Sequence, residues 1–154
     1  MQRRTLITAA ALAPLAAHAH HGWSSFDPSR PIYLEGKAAK VEWRNPHAQL
    51  QLELQADLKL PGDLAGRSVP AQSSPVEGAA ILKAAQLPTR KDKVWNVELA
   101  PVSRMEAWKV APIQAGESLA VVGYTFAGEK GEAVLRAEYL FVAGKVYGLR
   151  SSPA

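Results

Sequence analysis

Few side chains in this sequence can do chemistry, and their placement says more than their number. Four histidines occur, at positions 18, 20, 21 and 47, and there is no cysteine. His20 and His21 follow Ala17-His18-Ala19, a small-x-small triplet of the kind at which a secretory leader is removed. A chain that begins at His20 carries two nitrogens on one residue, the α-amine and the ring Nδ1, and together they can close a chelate on one metal ion. His47 adds a third nitrogen from across the fold, with His21 as substitute or supporting ligand. The result is the T-shaped, all-nitrogen set known as a histidine brace, and such sites suit copper best among the common ions. An α-amine titrates near about 8, so a metal displaces its proton readily at neutral pH.

Two other readings stand beside this one. Cleavage after Ala17 would start the chain at His18-Ala19-His20, where a third-position histidine binds Cu(II) locally and needs no fold. Alternatively, His20-His21 is a solvated tail and His47 a turn residue whose ring bonds a neighbouring carbonyl.

Each reading depends on export. Arg3 and Arg4 form a short basic start, and Leu6 to Ala17 is an Ala- and Leu-rich run. It is interrupted by Pro14 and shorter than the roughly 20 residues a spanning helix needs. Residues 1–19 are therefore expected to be a removable signal peptide that leaves no stable membrane anchor, and Arg3-Arg4-Thr5-Leu6-Ile7 also fits a weak twin-arginine signal. The product would be periplasmic or secreted. Removing two arginines from 18 basic residues against 14 acidic ones leaves 16 − 14 = +2, and no Lys/Arg stripe suited to nucleic acid is present. Without cysteine, disulfides and thiolate metal sites are excluded, so an apolar core alone must hold the fold. About 135 residues remain, enough for a single domain over 20–154.

The elements that must position these histidines read as strands. Residues 20–31, with Gly22, Pro28 and Pro31, form a lead-in without regular structure. Ile32 to Trp43 is a first strand in which Ile32, Leu34, Gly36 and Ala38 share one parity and Val41 and Trp43 the other, so a bulge falls near residues 36–40. Asn45-Pro46 turns the chain. Ala48, Leu50, Leu52 and Leu54 then alternate with Gln49, Gln51, Glu53 and Gln55, the period of a half-buried strand. His47 thus sits at a strand end, where a rigid sheet can aim it.

From about 56 to 92 the chain is rich in Pro, Ser and Gly, too long for a bare connection. Ser74-Pro75-Val76-Glu77 predicts a helix opened by a capping box and ended before Pro88, and Ser103 with Glu106 predicts a second short one. Strands resume over 93–99, 118–127, 133–142 and 146–149, and Gly128-Glu129-Lys130-Gly131 reads as a hairpin turn. A bulged first strand, a short helix between the third and fourth long strands, and closure by hairpins give a mainly β fold. The expected form is a small five- or six-stranded OB-like barrel with one or two short helices, and the alternative is a β-sandwich. Trp43 is expected as a core plug, and Trp23 and Phe26 as rings that pin the N-terminal segment to the barrel.

The stretch from His20-His21-Gly22 through Phe26 is one part of a wider pattern. It is joined by Leu34-Glu35-Gly36-Lys37, Val41-Glu42-Trp43-Arg44-Asn45-Pro46-His47, Trp95 to Leu99 and Val121-Val122-Gly123-Tyr124. Together they resemble the domain-of-unknown-function family 6152, small exported bacterial proteins with a His-His start and a W-x-N-P-H element. The resemblance implies a compact β-barrel and a periplasmic address, and no activity. The chain departs from the family in its longer 56–92 insertion and in Ala107-Trp108, where Gly-Trp is usual.

Hydrolytic and nucleotide-binding motifs are missing, and Glu98, Glu106 and Glu138 read as carboxylates at ordinary surface spacing. The functional expectation is a periplasmic copper-binding protein that meets a metal ion or a metal-delivery partner. A non-metal binding module, using a face lined by Tyr33, Trp43, Trp95 or Tyr124, is the alternative, and oxygen chemistry at the same copper ranks last.

Overall fold

A computed structural model describes residues 22–154 of the chain. The leader, its cleavage site, His20 and His21 lie outside the described residues. Alternating apolar residues fold as their period requires into a sheet ordered β3-β2-β1-β4-β5-β6, closed by an additional β3–β5 pairing. The strands are β1 (Ile32–Glu42), β2 (Gln49–Leu54), β3 (Val94–Glu98), β4 (Ser118–Tyr124), β5 (Val134–Val142) and β6 (Lys145–Gly148). All neighbours are antiparallel except β3 with β5, which run parallel and seal the barrel. Five strands close the ring and β6 extends β5 beyond it. This is an OB-type barrel with an extra strand, and the sandwich alternative falls away.

Two irregularities decide which side chains face inward. In β1 the register shifts between Ala38 and Lys40, where the sequence parity changes, so Ile32, Leu34 and Ala38 point into the core while Val41 and Trp43 pack against it from the next phase. In β5 the partners of Val122 and Gly123 are Tyr139 and Ala137, leaving Glu138 as the extra residue of a bulge. Leu135 and Ala137 face the core before it and Leu140 and Val142 after it, so the outward row changes phase at Glu138. Gly36 and Gly123 line the two close strand contacts: a Cβ on either would fall 1.9 Å from the Glu53 carbonyl oxygen or 2.1 Å from that of Arg136.

Trp95, Leu52, Leu135 and Leu140 fill the interior with no exposed surface, each such side chain contributing about 1.5–3 kcal/mol by its removal from water. Helix α2 (Val102–Ala107) plugs the barrel between β3 and β4 through the buried Met105. Residues 56–92 are not a loose loop. They contain α1 (Gly78–Ala84) and lay Leu64, Leu82 and Ala85 over the outward faces of Tyr33, Ala120, Val122 and Tyr139, making a second apolar core outside the barrel.

Neither capping box forms. Helix α1 starts at Gly78, four residues later than Ser74, and Glu77 makes no side-chain cap. The amide of Ser74 instead donates to Ser151 Oγ at 2.9 Å, binding this stretch to the C-terminal tail. Helix α2 likewise starts at Val102 with Pro101 at its cap and Ser103 already inside it, because Ala100 is still engaged by the amide of Ala48 at the end of the β-ladder. The lead-in also carries one short 3-10 turn, Trp23–Ser25.

Candidate functional site

The Asn45–Pro46 peptide is cis, and the chain turns there from β1 towards β2. His47 follows, half-buried, and Ala48 beside it is locked to the sheet end by bonds to and from Ala100 and Leu99. Its ring is therefore carried by a rigid strand end, as expected.

The sheet register then sets a row of outward side chains across four strands. Gln49 stands opposite Glu98, Glu98 beside Arg136, and Arg136 opposite Tyr124. Arg136 Nη2 lies 2.9 Å from His47 Nε2, and its Nη1 is 3.6 Å from Glu98 Oε2. Because a guanidinium has donors and no acceptor, the nitrogen of His47 must accept. The arginine side chain is only 6% exposed; burial lowers its pKa and the Glu98 carboxylate opposes that.

Trp23 covers this row. The guanidinium carbons of Arg136 and Arg150 lie 4.9 and 4.8 Å from its ring centroid, and Tyr124 meets it edge-on at 6.4 Å. Such cation–π contacts are worth about 0.5–2 kcal/mol each. Phe26 is buried, stacks on Phe126 at 5.1 Å and lies 5.8 Å from Arg136. The expected pinning of the N-terminal segment by Trp23 and Phe26 is present from Gly22 onward. Burial raises the Tyr124 phenol to about 12, with the nearby Glu138 carboxylate adding to the shift.

Glu98 and Glu138 are not surface carboxylates. Glu138 is wholly buried and accepts from Arg150 Nε and Nη2 at 2.8 and 2.5 Å, and Glu98 is 16% exposed in its pair with Arg136. The sheet explains the error: the β3–β5 pairing sets Glu98 beside Arg136, and the outward face of β5 that carries Arg136 and Glu138 is covered by Trp23 and Arg150. Glu106 is exposed. Arg136, Arg150 and Glu138 are the site residues that sequence reasoning missed. The visible signal was Arg136-Ala137-Glu138 inside an otherwise apolar run, since two charges one residue apart share a face of a strand.

His47 is the one histidine among the described residues, and among them no three His, Asp or Glu side chains converge to hold a metal ion. His20 and His21, the other expected ligands, lie outside the described residues. Of the aromatic residues considered as an alternative, Trp95 and Tyr124 are buried and Trp43 packs against the core, while Tyr33, itself largely buried, borders a groove. That groove, open and of about 650 Å³, lies between the insertion and the β5–β6 hairpin, bordered by Glu35, Arg67, Ser118, Phe141 and Lys145. There Arg67 is held by Asp63 at 3.0 and 3.1 Å and lies over Phe141.

The molecule is thus a small OB-type barrel whose N-terminal segment is clasped beside its Asn-Pro-His corner. The Family of unknown function (DUF6152) matches residues 8–59, a range covering the lead-in, β1, that corner and β2, and the resemblance seen in the sequence stands over it. No curated protein and no solved structure matches the chain.

Proposed function

We propose that this is an exported, periplasmic copper-binding protein, a carrier or buffer that holds one Cu(II) with nitrogen ligands from His20 and His47, His21 supporting. The observation that carries it is the shared guanidinium: Arg136 bonds His47 Nε2 and also lies against Trp23, only three residues after His20. A trans chain spans at most about 3.6 Å per residue. An N-terminus starting at His20 would therefore be within a few residues' reach of the Arg136–His47 pair.

The donor chemistry is compatible with copper. The acceptor role of His47 Nε2 means the nitrogen carries a lone pair, the form a metal binds. The charges around it are matched, Arg136 with Glu98 and Arg150 with Glu138, so an arriving cation meets a neutral neighbourhood. When bound, copper would supply a tetragonal, nitrogen-preferring Lewis acid. His47 would hold it from the barrel and the His20 amine and imidazole from the chain start.

Intact mass of the exported protein should show His20 as its first residue. One equivalent of Cu(II) should give an electron paramagnetic resonance spectrum with nitrogen couplings. His20→Ala, His47→Ala and a form extended by an N-terminal Met should each lose more than about 100-fold in affinity, beyond the range that supporting residues command. Equal affinity of the extended and native forms would refute the reading.

A second reading, binding of a small non-metal ligand, now has the 650 Å³ groove as its basis, a volume in the range of ligand pockets. Under it His47→Ala leaves ligand binding unchanged while Phe141→Ala abolishes it.

A further inference from the structure

We propose that the groove between the insertion and the β5–β6 hairpin binds a zwitterion of the amino-acid type, its ammonium group on Glu35, its carboxylate on Arg67 and Lys145, and its apolar side chain on Phe141 and Val146. This gives a chemical class to the ligand of the second reading above, on which it rests, and it needs no metal.

Strand register builds the floor. Tyr33, Val122 and Tyr139 form one outward row across β1, β4 and β5, and the insertion closes over it. The next row, Glu35, Ala120, Phe141 and Val146, lines the groove of about 650 Å³. Ala120 has no atom beyond Cβ, so the row is shallow between its charged end at Glu35 and its apolar end at Phe141 and Val146.

Two opposite charges stand in this groove, and each is held by a partner other than its counterpart. Glu35 Oε2 accepts from the Tyr33 hydroxyl at 2.7 Å and from Gln55 Nε2 at 3.2 Å, while Oε1 has no hydrogen bond among the described residues. Burial, and then the Glu35 carboxylate itself, push the Tyr33 phenol up, so it stays a donor. Arg67 gives Nε and Nη2 to Asp63 at 3.0 and 3.1 Å and lies 5.5 Å from the Phe141 ring centroid. Its Nη1 has no hydrogen bond among the described residues. Both charges are thus fixed by neighbouring side chains and keep one atom for a ligand, so binding costs little further ordering.

The charge pattern selects the ligand. Glu35 and Asp63 are balanced here by Arg67 and the exposed Lys145. A simple anion meets two carboxylates, and a simple cation meets a guanidinium and an ammonium. A molecule with both signs finds a partner for each, and an apolar side chain finds Phe141 and Val146. Those are the groups of a free amino acid or of a short peptide, and a groove of this volume admits either.

The test titrates the full native chain with L-leucine, leucyl-leucine, isocaproate and isoamylamine, followed by calorimetry and nuclear magnetic resonance. At least one zwitterion should saturate a single site and shift the signals of Glu35, Arg67 and Phe141, and the tighter of the two tells free amino acid from peptide. Isocaproate lacks the ammonium and isoamylamine the carboxylate, so each should bind at least about 10-fold more weakly, the loss of one charged hydrogen bond. Glu35→Gln should weaken the zwitterion about 10-fold and leave isocaproate unchanged, and Arg67→Gln should weaken it about 10-fold and leave isoamylamine unchanged. A merely structural role would lower both ligands together. If neither zwitterion saturates a site, or if a single-charge compound binds as tightly as the better zwitterion, the inference is overturned while the groove reading stands. The groove reading falls separately, when Phe141→Ala leaves unchanged the affinity of whichever compound binds.

Discussion

Two segments outside the barrel are fastened to it, and they are fastened by different physics. The insertion at 56–92 is held by apolar packing, with Leu64, Leu82 and Ala85 closing over Tyr33, Val122 and Tyr139. The N-terminal lead-in is held at its start by guanidinium groups lying against the ring of Trp23, which itself is 37% exposed, and then by Phe26 packed among Tyr124, Val134 and Phe126. Apolar packing is dense and resists change in volume. A set of charges with alternative partners can exchange one contact for another at modest loss. The first arrangement suits a permanent part of the scaffold, and the second a segment whose contacts can be exchanged.

Among the insertion's polar fastenings, one shows how different a fixed charge looks. The Glu129 carboxylate, 3% exposed, accepts the amide of Thr89 with both oxygens at 3.0 Å and that of Arg90 at 3.0 Å, and pairs with Arg30. Burial by itself would raise its pKa, but these donors outweigh burial and lower it to about 2. It joins the end of the insertion, the lead-in and the β4–β5 turn at a single point.

Leu82→Ala should produce the largest effect on stability. It opens a cavity in the outer core and should cost about 2–5 kcal/mol, read by denaturant unfolding, while the bond between Arg136 and His47 is unchanged. Loss of that bond would show that the two regions are coupled.

Glu129→Gln should cost about 1–3 kcal/mol at neutral pH, because buried amide donors lose a charged acceptor. The sign of its pH dependence follows from the lowered pKa. Native Glu129 contributes fully above the unfolded value of 4.5, and the contribution fades as pH falls towards about 2. Melting curves of native and variant protein should therefore be furthest apart near neutrality and converge across that window.

Trp23→Ala should cost only about 1 kcal/mol yet speed hydrogen exchange across residues 22–30 far more than across α1. Equal acceleration in both would remove the distinction between clasp and scaffold. Smallest of all, Arg44→Ala removes an exposed pair with Glu42, whose partner arginine side chain is 77% exposed. It should shift stability by less than about 0.5 kcal/mol and, under the proposed copper reading, leave Cu(II) affinity unaltered, although it lies in the same corner as His47.

The strands were legible because their signal is local. The alternation from Ala48 to Gln55 and the parity change around Gly36 to Lys40 record which side chains meet the core, and the register shift falls there. Helix starts were not legible, since Ser74 gave its amide to Ser151, 77 residues away, and a distant partner leaves no local pattern. Glu138 was misread for the same reason: Arg150 pairs with it on a face that Trp23 covers.

Residue identity and spacing alone determined the barrel class, the position of His47 at a strand end, the absence of thiol chemistry and the aromatic anchors Trp23 and Phe26. Only tertiary structure decided what those anchors hold. Glu98, Arg136 and Tyr124 lie far apart along the chain and become neighbours through the parallel closure of β3 with β5 and the pairing of β4 with β5. Strand periodicity specifies the face on which a residue lies, but its neighbour across the sheet is specified by register, which is settled when the barrel closes.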